Sequence, residues 1–174
     1  APFDNQNTPI VDRDDSITPL VYFNIVKLRA GETYVSEIDG YETCIVPATG
    51  TVDVQVGSWH ATDVGGRGSD VWDGEPNAAY VPVGARAEMT AKDDCEVFIA
   101  GARFDEVYEP FVVRAENIDP VQYGSDDTKT HRKIKHLLGQ NPPGRVGRLL
   151  ISELYTVGAG GWSGFPPHKH DTDR

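Results

Sequence analysis

The sequence predicts an all-β antiparallel fold, a β-sandwich or jelly roll. Three observations support this prediction. Short apolar, β-branched runs recur roughly every 8–12 residues. Glycine and proline separate these runs, and one run, Thr51–Val56, alternates apolar and polar residues with period two. With 174 residues, the chain is long enough for one domain and part of a second.

The predicted strands of the first half follow one another with turn signals between them. Gly31 ends the first strand, and Ala48-Thr49-Gly50 and Gly57-Ser58 have the composition of turns. Residues 65–69, GGRGS, have no apolar period and predict a loop. Strands are predicted at Leu20–Leu28, Tyr41–Pro47, Thr51–Val56, Arg86–Thr90 and Cys95–Ala100, and Ala79–Gly84 is predicted to be a strand followed by a turn.

The second half predicts a change of domain. Residues 1–111 are interpreted as an N-terminal β domain and residues 112–144, interrupted by glycine and proline and rich in charge, as a linker. One short helical turn is expected in the linker near Arg132–Leu138. A new strand is expected at Arg148–Val157, so residues 145–174 are interpreted as the first strands of a second, truncated β domain.

Composition and charge exclude several classes of protein. The net charge of −11, concentrated in the first 120 residues, argues against nucleic-acid binding. No stretch is apolar enough to cross a membrane, and the polar N-terminus does not resemble a signal peptide. Cys44 and Cys95 form no metal-binding pair and are expected to be small core residues of a cytoplasmic protein. The basic segment 129–136, KTHRKIKH, is interpreted either as a solvated face or as a site for an anion.

His168-Lys169-His170 is the sharpest chemical signal in the sequence. On a strand, residues i and i+2 point to the same face, so this spacing places two imidazoles side by side. Paired imidazoles suit a transition metal. A glycine-rich loop, two prolines and the aromatic residues Trp162 and Phe165 precede the pair. The sequence therefore predicts His168 and His170 as metal ligands.

The segment around the histidine pair resembles the first motif of the cupins, in which a glycine precedes the HxH ligands and a glutamate follows them. That glutamate and a further histidine ligand are expected beyond Arg174. The first domain repeats the spacing, with Glu37, Asp39 and Thr43 at the ligand positions between Gly31 and Gly50. Pro82-Val83-Gly84 matches the second cupin motif, and Ala87 stands at its histidine position. The first domain is therefore expected to be a cupin that has lost its metal site.

The chain resembles the 5-deoxy-glucuronate isomerase family of bacterial myo-inositol catabolism. The likeness lies in residues 40–56 (GYETCIVPATGTVDVQV), 68–85 (GSDVWDGEPNAAYVPVGA) and, above all, 149–171 (LLISELYTVGAGGWSGFPPHKHD). The resemblance implies a bicupin that converts 5-deoxy-glucuronate to 5-dehydro-2-deoxy-gluconate, an aldose–ketose isomerisation. It also implies a sugar-acid ligand, no membrane or nucleic-acid partner, and a homo-oligomer.

The resemblance also implies the roles of particular residues. His168 and His170 would hold a divalent metal, Zn, Mn or Fe. Trp162 and Phe165 are predicted to line the substrate pocket, although core packing explains them equally well. Arg148 is predicted to meet the substrate carboxylate, because a planar guanidinium binds a carboxylate through two hydrogen bonds. The catalytic base is not identified.

Three classes of function remain open at this point. The first is the isomerase, for which the 174-residue chain alone is expected to be inactive because two histidines cannot hold a metal tightly. The second is another metal-dependent cupin enzyme, such as an iron oxygenase that uses the same two histidines. The third is a non-catalytic cupin fragment with a binding or assembly role.

Overall fold

A computed structural model describes residues 4–163 of the chain. Eleven strands and two short 3-10 helices, Val71–Asp73 and Ala115–Asn117, make up the regular structure of this part. The strands are β1 (Val21–Leu28), β2 (Thr33–Ser36), β3 (Tyr41–Val56), β4 (Trp59–Arg67), β5 (Ala78–Val81), β6 (Ala87–Ala91), β7 (Cys95–Arg103), β8 (Phe111–Val113), β9 (Val121–Tyr123), β10 (Arg132–Leu138) and β11 (Ile151–Thr156).

The long strand β3 joins the two halves of an eight-stranded antiparallel sheet, which we call the first sheet. Its first half pairs with β7 and β5, in the order β1-β7-β3-β5-β8. Its second half pairs with β4 and β6, and β6 also pairs with β2. Because one strand serves both halves, the two halves of the first sheet fold over one another and enclose a core.

Apolar side chains from both halves of the first sheet fill this core. Val26, Ile45, Val52, Val54 and Ile99 are fully buried. Along β7, buried and half-buried residues alternate, as expected for a strand that faces a core on one side. The predicted antiparallel β-sandwich is therefore confirmed.

A separate three-stranded sheet of order β11-β10-β9, which we call the second sheet, packs against the outer face of the first sheet. Cys44, Val46 and Tyr80 of the first sheet contact Leu138 and Leu149 of the second segment in a separate buried cluster. The first half of β3 is consequently buried on both of its faces. The contact between the two sheets positions the candidate site described below.

Most of the predicted strands are confirmed, but β3 corrects one prediction. The predicted turn at Ala48-Thr49-Gly50 is wrong, because the strand continues through it with register shifts between Pro47 and Thr49 and between Gly50 and Thr51. Such bulges bend a strand without ending it, and glycine supplies the unusual backbone. The predicted loop at residues 65–69 is also partly wrong, since β4 extends to Arg67.

The predicted helical turn at Arg132–Leu138 is wrong as well. These residues form β10, which pairs with β9 and β11. The alternation of apolar and polar residues that marks a strand is not visible in this segment, because the charged Lys135 occupies an inward-facing position where an apolar residue is expected. Lys135 is only 4% exposed. The structure thus places three strands within or at the edge of the predicted linker, while the predicted strand at Arg148–Val157 is confirmed as β11.

Gly50 is a glycine at which the structure leaves no room for a side chain. Its φ is +70°, and an added Cβ would lie 2.6 Å from the Cβ of Cys95 and 2.7 Å from the carbonyl oxygen of Asp94. We expect Gly50→Ala to lower the free energy of unfolding by about 3 kcal/mol, since both the backbone conformation and the contact are unfavourable. Gly57→Ala is the matched control, because φ is +56° there with no atom within 4 Å of the added Cβ. Chemical denaturation of both variants measures the difference, and equal losses would contradict the close contact.

Cys44 and Cys95 are both buried and free, as predicted. Burial raises the pKa of the Cys95 thiol to about 11, so the thiol stays protonated near neutral pH. None of the helices in the described part of the chain has the length and apolar character that crossing a membrane requires.

Candidate functional site

The predicted site residues fall into two groups. Phe165, His168 and His170 lie outside the described residues. Trp162 is 62% exposed, and its backbone N–H donates to the carbonyl oxygen of Lys129 at 3.1 Å. Arg148 is an exposed residue just before β11. The substrate-binding and metal-binding roles of these residues stay predictions.

The four positions that match cupin ligand positions in the first domain are divided between surface and interior. Glu37 and Asp39 are exposed, and Ile38 between them is buried in the core. Thr43 is 4% exposed, and Ala87 is fully buried among apolar side chains. Across residues 4–163, no group of three or more His, Cys, Asp or Glu side chains is placed to hold a metal ion.

A buried carboxylate joins the two sheets. Glu42 of β3 is fully buried and accepts a hydrogen bond from the Tyr80 hydroxyl at 2.8 Å. Three successive backbone N–H groups, those of Gly147, Arg148 and Leu149, also donate to this carboxylate, at 2.9, 2.6 and 2.9 Å. Four donors compensate the cost of burying a charged group. Glu42 thereby fixes the segment that leads into β11.

Burial raises the pKa of the Tyr80 hydroxyl, and the hydrogen bond to Glu42 raises it further. The tyrosine is therefore neutral and remains a donor to the carboxylate. Its ring also stacks on Phe111 with centroids 5.1 Å apart.

A second polar contact lies further along the same junction. The guanidinium of Arg67, whose side chain is 2% exposed, forms an ion pair with Glu153 of β11. It also donates to the Tyr155 hydroxyl at 3.2 Å and to the carbonyl oxygen of Gly74 at 3.1 Å. The Tyr155 hydroxyl donates to Glu153. One buried arginine thus holds both β11 and the loop around Gly74.

The basic segment 129–136 forms part of this junction. Lys133 and Lys135 of β10 both pair with Glu75, the first at 3.0 Å, and Lys135 also donates to the carbonyl oxygen of Ala115 at 2.8 Å. Hydrogen bonds from Lys135 first and Lys133 second lower the pKa of the Glu75 carboxyl. The interpretation of the segment as a solvated face is therefore incomplete, since these lysines anchor the second sheet to the first.

A pocket of about 330 Å³ opens beside these contacts, and we call it the junction pocket. It lies between the loop after β4 and the second sheet. Its lining comprises Trp72, Gly74, Glu75, Lys133, Tyr155 and Val157. An indole, a phenol, a carboxylate and an ammonium group therefore converge on one small cavity.

Sequence reasoning missed Glu42, Arg67 and Glu75. Glu42 did carry a signal, because a charged residue inside the apolar run Tyr41–Val46 is expected to need a buried partner. Arg67 and Glu75 carried no such signal, since each lies in a polar, glycine-rich stretch that is typical of a loop.

Comparison with known proteins identifies a family to which this sequence is similar. A family model described as the KduI/IolB family matches residues 2–174. The 5-deoxy-glucuronate isomerase of Bacillus subtilis strain 168 is 29% identical over 164 residues, which cover 94% of this chain and 59% of that protein. The 5-deoxy-glucuronate isomerase of Lacticaseibacillus casei is 30% identical over 168 residues, which cover 94% of this chain and 60% of that protein. The chain thus spans 59–60% of the length of these relatives.

Among solved structures, an IolB-like protein from Salmonella typhimurium LT2 is similar to this chain, with a TM-score of 0.69 and 23% sequence identity. The likeness covers 79% of this chain and 51% of the Salmonella protein, and at this identity it concerns the fold. Because the family match extends over nearly the whole sequence, the chain belongs to the KduI/IolB family.

Proposed function

We propose that this chain belongs to a metal-dependent isomerase that converts 5-deoxy-glucuronate to 5-dehydro-2-deoxy-gluconate. The observation that carries the proposal is the family match over residues 2–174, supported by relatives named as isomerases of this substrate. The matched region includes His168-Lys169-His170, the pattern predicted to bind metal.

The chemistry of the donor set fits a divalent metal. Two imidazoles at i and i+2 on a strand would bind Zn, Mn or Fe through neutral nitrogen atoms, and further ligands would have to complete the site. When bound, the metal would polarise the sugar carbonyl and its neighbouring hydroxyl. In the same proposal, Arg148 holds the substrate carboxylate, and Trp162 and Phe165 line the pocket. A homo-oligomer and a cytoplasmic location also stay proposals.

The apolar interior of the first β domain favours a structural role for this domain over a role in binding substrate. Apolar side chains such as Val52, Val54 and Met89 fill the space between the two halves of the first sheet, and these three are fully buried. Such an interior offers no cavity for a sugar. We infer that this domain acts as a rigid scaffold, to which Glu42 and Arg67 attach the second sheet.

An isomerase assay with 5-deoxy-glucuronate tests the proposal. We expect the complete product of the gene to convert this substrate and to lose activity by about 100-fold or more on chelation, on His168→Ala or on His170→Ala, since each removes part of the metal site. The exposed His60 provides the control, and His60→Ala should leave the rate unchanged.

The other outcomes separate the alternatives. Oxygen uptake without isomerisation would favour a metal-dependent oxygenase, and absence of any turnover by the complete gene product would favour a non-catalytic protein. The 174-residue chain assayed alone is expected to be inactive, and turnover by it would contradict the need for further ligands.

A further inference from the structure

The junction pocket contains an unusually exposed tryptophan. Trp72 is 70% exposed. Large apolar side chains that are exposed on a protein surface and line a cavity commonly mark a binding site. Its indole lies beside the Tyr155 ring, with centroids 5.7 Å apart and planes tilted by 56°. The two rings form adjacent aromatic walls.

Both walls are held in place by other parts of the protein. The Asp70 side chain caps the short helix that carries Trp72 and accepts a hydrogen bond from the Trp72 backbone N–H at 3.0 Å. The Asp73 side chain in turn accepts a hydrogen bond from the Asp70 backbone N–H at 3.1 Å. The Tyr155 hydroxyl is fixed by Arg67 and Glu153. A site whose walls are already ordered loses little conformational entropy when a ligand binds.

The polar side of the pocket presents both an acceptor and a donor. Glu75 is 46% exposed and ionised near neutral pH, because the neighbouring lysines lower its pKa, so its oxygens accept hydrogen bonds. Lys133 is 34% exposed and has three N–H groups, of which Glu75 at 3.0 Å takes one. Two ammonium groups, those of Lys133 and Lys135, share the single Glu75 carboxylate. The excess positive charge at this contact favours an anionic ligand.

We propose that the junction pocket is a binding site for the ring of a sugar acid. The apolar C–H face of the sugar would pack on the Trp72 indole, and its hydroxyl groups would donate to Glu75. Its carboxylate would accept hydrogen bonds from Lys133. A volume of about 330 Å³ accommodates one monosaccharide ring. The inference concerns binding alone and does not depend on the proposed isomerase activity or on a metal.

Indole N–H signals in a nitrogen–proton correlation spectrum provide the test, since the chain has three tryptophans, each assignable by substitution. The 174-residue chain is titrated with D-glucuronate in the presence of EDTA, with D-glucose as the uncharged comparison. We expect the Trp72 signal to shift in a saturable way with glucuronate and to respond about tenfold more weakly to glucose. Calorimetry should show loss of binding in Trp72→Ala and a glucose-like affinity for glucuronate in Lys133→Met.

Lys92→Met is the matched control for Lys133→Met, because Lys92 also pairs with a carboxylate, that of Asp63 at 2.6 Å, but does not line the pocket, and its variant should bind glucuronate normally. The signals of Trp59 and Trp162 report whether each variant is folded. An unresponsive Trp72 signal, or unchanged binding in Lys133→Met, would overturn the proposal. A Trp72 signal that moves with protein concentration and not with sugar would also overturn it, in favour of contact between two copies of the chain.

Discussion

Replacing Glu42 by glutamine is expected to lower the free energy of unfolding by about 2–4 kcal/mol. The carboxylate accepts from the Arg148 and Leu149 amides on one oxygen and from the Gly147 amide and the Tyr80 hydroxyl on the other. An amide side chain keeps the shape but turns one acceptor into a donor that faces other donors. The site is fully buried, so water cannot replace the lost acceptor.

Chemical denaturation of the two proteins measures this effect, and amide hydrogen exchange locates it. Protection should fall first at residues 147–149, because their N–H groups lose the acceptor. Glu37→Gln makes the same chemical change at an exposed position and is expected to alter the free energy of unfolding by less than about 0.5 kcal/mol. If Glu42→Gln behaved like Glu37→Gln, the four hydrogen bonds would not stabilise the junction.

The strands of the first domain were predictable because their signals are local. Apolar residues at alternate positions and glycine between runs depend only on neighbouring residues, and they located β1, β5, β6 and β7. The continuity of β3 was not predictable in this way. Whether Gly50 ends a strand or bends it depends on what packs beside it, and here Asp94 and Cys95 lie against it from 44 or more residues away.

The candidate site was harder to predict, because its groups come from distant parts of the sequence. Glu42 meets the backbone of Arg148, 106 residues later, and Arg67 meets Glu153, 86 residues later. No pattern along the chain records such a pairing. Lys135 illustrates the consequence, since a lysine in a charged segment predicts exposure, whereas its pairing with Glu75 allows it to be buried.

Replacing Arg67 by methionine is expected to lower the free energy of unfolding by about 3 kcal/mol. Methionine keeps the apolar part of the side chain, so the loss comes mainly from the guanidinium. Its contacts to Glu153, Tyr155 and the carbonyl oxygen of Gly74 all disappear together. Because Arg67 is 2% exposed, the groups that remain cannot be fully hydrated. The variant should also bind glucuronate more weakly in the junction pocket, since Tyr155 and the loop at Gly74 lose a common support.

A double-mutant cycle with Glu153→Gln separates the ion pair from the rest. We expect a coupling energy of about 1–3 kcal/mol, because the second substitution removes the carboxylate that Arg67→Met leaves without its ion-pair partner. Arg86→Met is the control, since Arg86 and Glu88 form an ion pair at 3.1 Å whose side chains are 54% and 41% exposed. Solvent screens such a pair, and its loss should change the free energy of unfolding by less than about 1 kcal/mol. Equal effects at Arg67 and Arg86 would mean that burial adds nothing to the arginine contact, and the second sheet would then be held mainly by Glu42 and the apolar cluster around Leu138.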